Sequence, residues 1–157
     1  MTNSRILELV PHSMLSWDFS VLRDGTPVAE IDVSWFREKG VLTVEGVQYP
    51  VYREHVLSGA FILEFNGTPL ARAEKPSALF RSFLVEHGDK TYTLKAETAL
   101  FRKFVLLDND VEIGSITPAG PLVRRASVDL PDDLPLPVNV FLIWLTILLW
   151  KRAAEKA

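Results

Sequence analysis

Residues Val138–Trp150 read VNVFLIWLTILLW, a run without a single charged side chain. As a helix rising about 1.5 Å per residue it reaches about 20 Å, against about 30 Å of membrane hydrocarbon. A helix that is apolar all round must be surrounded by apolar material. Either lipid supplies it, or the rest of this chain does. The choice governs what the preceding residues can fold into.

Those residues are sufficient for one domain with a real core: the chain has 157 residues, 48% of them hydrophobic. A single domain over 1–157 is expected. The formal net charge of −3 argues against a dedicated nucleic-acid binder. There is no cysteine, which excludes disulfides, thiolate metal sites and a cysteine nucleophile. The first residues, MTNSRILELVPHSMLSW, lack the continuous apolar region of a secretory signal. The expected setting is reducing and cytoplasmic, with contact at a membrane surface left open.

Two segments match closely. Phe19–Asp32 reads FSVLRDGTPVAEID, and Phe61–Glu74, 42 residues on, reads FILEFNGTPLARAE. A weaker copy, FVLLDNDVEIGSIT, starts at Phe104 after a further 43 residues. Ala29, Ala71 and Gly114 fall in register, as do Leu15, Leu57 and Leu100 upstream. Periods of this size mark a repeated supersecondary unit. Asp24-Gly25 and Asn66-Gly67 between apolar runs are strong hairpin signals.

Each unit reads as a four-stranded meander. The first uses 17–22, 27–33, 41–45 and 48–53; the second uses 59–65, 69–74, 82–87 and 91–96. The third offers 103–107, 111–116 and 122–128, and then runs into DLPDDLPLP and the apolar segment. Ile6–Val10 stands where a displaced fourth strand would. The expectation is therefore a mainly β chain: a closed antiparallel barrel of twelve strands within 6–130, made of three repeats of about 42 residues. Its one helix, over 138–155, is expected inside the barrel. Eight strands are filled by their own side chains, whereas twelve leave a central space. A helix about 10–12 Å across fits that space. Pro135 and Pro137 suit an extended lead-in to a helix start.

This combination resembles the tubby C-terminal-like superfamily, which includes the LURP-one-related proteins and the phospholipid scramblases. The resemblance is carried by Asp24-Gly25-Thr26, Asn66-Gly67-Thr68, the stretch Tyr92–Ile116 and the run Val138–Trp150. It extends over nearly the whole chain and lies in architecture. It implies a twelve-stranded barrel wrapped around a hydrophobic C-terminal helix, and a non-enzymatic module. Relatives bind phosphoinositides or associate with membranes. No lipid-binding residue is carried over, and no cofactor is implied.

Several residue groups invite chemistry. Asp108, Asp110 and Glu112 supply oxygen ligands in the manner of part of a calcium loop. The central Gly and distal Glu of an EF-hand are missing. Alignment of Asn109-Asp110 with the other two turns makes a hairpin the plainer reading. His12, His55 and His87 show no metal-ligand spacing and read as surface or turn residues. Asp129, Asp132 and Asp133 precede the helix and read as a solvated link. No G-x-S-x-G, P-loop or G-x-G-x-x-G occurs.

The basic residues Arg72, Lys75, Arg81, Arg102, Lys103, Arg124 and Arg125, with Lys151 and Arg152, form a candidate contact for anionic phospholipid if they share one face. Otherwise they are an ordinary mixed-charge surface. Trp17, Trp35, Phe36, Phe80, Phe83, Trp144 and Trp150 suggest a membrane belt or, for most of them, core packing. Asn139, buried in the helix, is expected to find a hydrogen-bond partner.

The leading expectation is a binding or scaffold module that contacts phospholipid or a protein partner through its outer surface. The alternative is a tail-anchored protein inserting Leu134–Trp150. Pro135, Pro137, Asn139 and the short run count against it. An enzyme with a surface cleft is the third reading, with no residues to name for it.

Overall fold

The computed structural model describes residues 5–34, 39–55, 58–77, 80–98, 102–121 and 123–156. Alternation sets the fold. Along most strands alternate residues are apolar and turn inward, as a half-buried strand requires, though β6 and β10 bury consecutive residues and the inward positions of β7 are alanines. Phe19, Val21, Leu42, Val44, Phe61, Leu63, Phe83, Val85, Phe104 and Leu106 are all buried.

The strands follow chain order. They are β1 (Ile6–Pro11), β2 (Phe19–Arg23), β3 (Thr26–Ser34), β4 (Lys39–Val44), β5 (Val47–His55) and β6 (Ser58–Phe65). Then come β7 (Thr68–Glu74), β8 (Ser82–His87), β9 (Lys90–Ala96), β10 (Phe104–Asp108), β11 (Val111–Pro118) and β12 (Ala126–Asp129). The chain ends in α1 (Leu136–Lys156). Each strand pairs antiparallel with its sequence neighbours. β1 pairs with both β2 and β12, closing the barrel.

Tight turns carry positive φ where the sequence has Asp-Gly, Asn-Gly and Asn-Asp. Asp24 and Gly25 have φ of 50° and 79°, and Asn66 and Gly67 have 50° and 78°. Asn109 and Asp110 reach 50° and 66° without a glycine. This fits the tolerance of Asn and Asp for the left-handed region. A register shift occurs at one step of each of these hairpins, at Val21/Leu22, Leu63/Glu64 and Leu106/Leu107. Leu57 and Leu100, aligned in the sequence, lie outside the described residues, as do Trp35 and Phe36.

The helix fills the barrel. Every residue from Val138 to Lys151 is buried, and 78% of the most apolar window of α1 is enclosed. By length and composition α1 is also long enough to cross a membrane. At about 2 kcal/mol for each large apolar side chain, its burial contributes on the order of 20 kcal/mol before chain entropy is counted. Phe61 meets Trp144 edge-on with ring centroids 5.3 Å apart. Close approach needs a small residue on the wall. A Cβ on Gly40 would stand 2.4 Å from the Asp32 carbonyl oxygen and 3.0 Å from Trp144 Nε1.

Three polar groups of the helix find partners, whereas Asn139 Oδ1 and Trp144 Nε1 are buried without one among the described residues. Asn139 Nδ2 donates to the Pro131 carbonyl at 2.9 Å, which meets the expectation for that residue. Thr146 Oγ1 donates to Leu142 O one turn back, and Trp150 Nε1 to Arg102 O.

Most strand boundaries fall within two residues of expectation, and two boundaries have a clear physical cause for their shift. The helix starts at Leu136, because Pro137 falls in the first turn, where its missing N–H costs nothing. The last strand starts at Ala126, well after the expected 122. Ala119 N–H donates to Arg125 O, and Arg102 takes the carbonyls of Gly120 and Val123. The residues before Ala126 are thereby held as a loop.

Candidate functional site

Alternating connections give the barrel two unlike ends. One end carries the two-residue turns β2–β3, β4–β5, β6–β7, β8–β9 and β10–β11. The other carries the long connections β1–β2, β7–β8, β9–β10 and β11–β12, with the β3–β4 and β5–β6 connections. Helix α1 enters at the tight-turn end, where Asn139 bonds Pro131. It leaves at the long-connection end, where Trp150 bonds Arg102.

Both ends carry both signs, with Arg5, Arg23 and Lys90 at the tight-turn end and Asp18, Glu54, Glu74 and Glu97 at the other, but the turns and the long connections are weighted differently. Tight turns and the β12–α1 link hold Asp24, Glu45, Asp89, Asp108, Asp110, Asp132 and Asp133. The long-connection end holds Lys75, Arg81, Arg102, Lys103, Arg124 and Arg125, joined by Lys151, Arg152 and Lys156 of the emerging helix. Arg72 lies on β7 two residues short of that end. The basic residues singled out in the sequence therefore gather at one end of the molecule.

Their immediate partners differ. Arg72 Nε meets Glu54 at 3.0 Å, and a second guanidinium nitrogen meets Glu74 at 3.4 Å. Lys103 pairs with Glu97 at 2.9 Å, and Arg125 with Glu8 at 2.8 Å. These are exposed pairs, each worth under about 1 kcal/mol. Lys75 donates to the carbonyls of Ser77 and Phe80. Burial, then Arg152 and Lys156, pull its ammonium below the usual lysine range. Positive charge is crowded here. Arg81 donates to Thr98 O and stands over the Phe104 ring.

Apolar side chains stand among these cations. Met14 is 92% exposed, Leu15 90% and Phe80 68%. Val123 is exposed beside them. Such side chains at the tips of connections are costly to leave in water, and grouping makes them informative. Of the other aromatics named in the sequence, Phe83, Trp144 and Trp150 are core residues, and Trp17 is half-buried.

The remaining candidates resolve as follows. Asp108 faces Lys90 at 3.2 Å beside the Asn109-Asp110 turn. No group of three potential metal ligands forms among the described residues. Asp129 holds Arg5 at 2.6 Å, while Asp132 and Asp133 are exposed on the link to the helix. His87 Nδ1 lies 2.9 Å from Leu70 O, and His55 ends β5.

One cluster was not foreseen from the sequence. His12 Nε2 lies 2.9 Å from Glu30 Oε2 and 3.0 Å from Ser20 Oγ. Ser20 Oγ also donates straight to both Glu30 oxygens. The residue types are those of a hydrolase triad, but the geometry is not. A triad needs one imidazole nitrogen on the serine and the other on the carboxylate. Here a single nitrogen touches both, so the ring is not oriented as a base. The signal for this cluster was the pairing itself: Ser20 is opposite Val10 in β1 and Glu30 in β3. Close by, burial and the Asp18 carboxylate push Asp32 above the usual carboxylate range.

Two hollows border the helix. At the tight-turn end a cavity of about 210 Å3 touches Arg5, Arg23, Asp132 and Asn139. At the other end an open cleft of about 550 Å3 lies between α1 and the β1–β2 and β11–β12 connections. Compared with family models, curated proteins and solved structures, the chain matches none of them.

Proposed function

We propose that the protein is a non-enzymatic docking module whose long-connection end rests on anionic phospholipid. One observation carries the reading: Met14, Leu15 and Phe80 project from the end where the basic residues gather. An interfacial protein uses apolar tips to enter the headgroup layer and cations to meet anionic lipid, each worth about 1 kcal/mol near the surface. The lowered affinity of Lys75 for its proton comes first from burial, with Arg152 and Lys156 adding to it. The acidic tight-turn end would then face away. The resemblance to the tubby-like superfamily points to the same class of module, and that kinship is part of the proposal.

Vesicle flotation tests it. The protein should float with phosphatidylserine vesicles and stay behind with phosphatidylcholine alone. Added salt should release it, because the charges involved are exposed. Equal failure to bind both vesicle types removes the reading. Extraction with alkaline carbonate separates this docking from insertion of Leu134–Trp150. A docked barrel is released, and an inserted helix stays in the pellet.

A further inference from the structure

The 550 Å3 cleft is walled by Trp17, Arg102, Arg124, Trp150, Ala153 and Ala154. Among the described residues neither of its two arginines meets a carboxylate. Arg5, Arg72, Lys90, Lys103, Arg125 and Lys151 each meet a carboxylate. Among the described residues Arg102 meets the carbonyls of Gly120 and Val123 and the face of Trp150, 5.5 Å from its guanidinium carbon. Among the same residues Arg124 meets the carbonyls of Ser13, Met14 and Ser16 and the face of Trp17 at 5.0 Å. Burial depresses Arg102 below the usual arginine range, with no acidic group to offset it.

Both hydrogen bonds of Arg102 leave from Nη2, and its Nε–H and Nη1–H groups remain as donors for a single-point contact with an anion. A neutral apolar guest would leave two guanidinium charges facing hydrocarbon. A small hydrophilic anion would leave the tryptophan and alanine walls uncovered. The complement is a molecule with one anionic head and one apolar body. The cleft volume lies in the range for a single small ligand.

We infer that this cleft binds one long-chain acyl carboxylate, with its head at Arg102 and Arg124 and its chain along Trp17, Trp150, Ala153 and Ala154. The inference rests on the lipid-facing reading of the same end, but concerns one monomeric ligand rather than a surface. Each methylene buried along the walls raises affinity up to about fourfold.

The test uses the full chain without vesicles. Dibromostearate at monomeric concentration should quench the Trp17 and Trp150 share of the emission saturably, and oleate should compete. Methyl oleate, which lacks the charge, should compete at least tenfold more weakly. Ala153 and Ala154 are exposed on the helix, so the double substitution Ala153→Leu/Ala154→Leu should leave the fold intact. It should weaken dibromostearate binding at least tenfold by filling the cleft. Equal competition by oleate and its methyl ester overturns the inference, as does unchanged affinity in the double variant. Absence of saturable quenching in a protein that still floats with anionic vesicles overturns the cleft alone. Quenching without flotation overturns the membrane reading alone.

Discussion

The two ends of the barrel are made by the same twelve strands and differ in what joins them. At one end two-residue turns leave no room for excursions, and their Asp and Asn residues follow from the backbone conformation. That end is acidic because turn chemistry favours Asp. At the other end the connections are longer and free of that constraint. Cations collect there, and so do the three most exposed large apolar side chains among the described residues, Met14, Leu15 and Phe80, for which no turn geometry asks. Ile6, Val47, Phe65 and Val111 are exposed to a lesser degree at the tight-turn end. The comparison separates residues explained by folding from residues that folding leaves unexplained. Function is best sought among the second.

Experiments can break or sharpen this contrast. The largest effect should come from neither end. Leu145 is fully buried midway along the helix. Leu145→Asp puts an unpaired charge in the core and should cost more than about 4 kcal/mol. Loss of the cooperative thermal transition, read by circular dichroism, would show it. Removing 138–157 should have the same outcome, since no apolar filler remains. A folded truncation would mean that the helix is dispensable to the barrel.

Glycines probe the ends next. Gly40→Ala drives a methyl group against the Asp32 carbonyl and should cost about 1–3 kcal/mol in a denaturant titration. Gly25→Ala, at a tight turn with φ of 79° and open space around it, should cost only about 1 kcal/mol, all from the backbone. A reversed order would contradict the packing described at β4.

The docking contrast is read by flotation. Met14→Ser, Leu15→Ser and Phe80→Ser together should lower binding to phosphatidylserine vesicles at least tenfold, with the melting temperature unchanged. Charge reversal at the acidic end, Asp24→Lys with Asp110→Lys, should not lower it. If the two sets act alike, the ends are equivalent and the proposal falls.

The smallest effect concerns pH. Asp32 binds its proton more readily folded than unfolded. Its contribution to stability is complete below the unfolded pKa and declines as pH rises through the folded one. Asp32→Asn should therefore stabilise the protein at neutral pH by a few tenths of a kcal/mol, discounted for exposure. The gain should vanish as pH falls through the carboxylate range.

Much of the fold was legible because two signals agreed. Spacings of 42 and 43 residues between buried Phe19, Phe61 and Phe104 coincided with turn dipeptides at matching places. The apolar helix then had only one place to go. Bulges were not legible, since a register shift leaves no mark in apolar patterning. Nor was the loop at 119–125, which depends on Arg102 reaching across to its carbonyls. For the candidate site the basic residues were visible and their gathering was not. Lys75, Arg102, Arg124 and Arg152 are far apart in sequence and meet because alternate connections return to one end. The cleft arises only when α1 emerges between two of those connections.

Closure through β1 has a consequence for how the molecule comes into being. The partners of Ile6–Pro11 are β2, nearby in sequence, and β12, which ends at Asp129. During synthesis the growing sheet therefore keeps an open edge until Asp129 has been made, and its interior stays unfilled until α1 follows. At roughly 5–20 residues per second this interval lasts several seconds. An unsealed sheet with an apolar face is prone to pair with other chains. Arrival of α1 is thus the step that completes the barrel, and slowing translation between the codons for Asp129 and Lys156 should raise aggregation more than slowing it earlier.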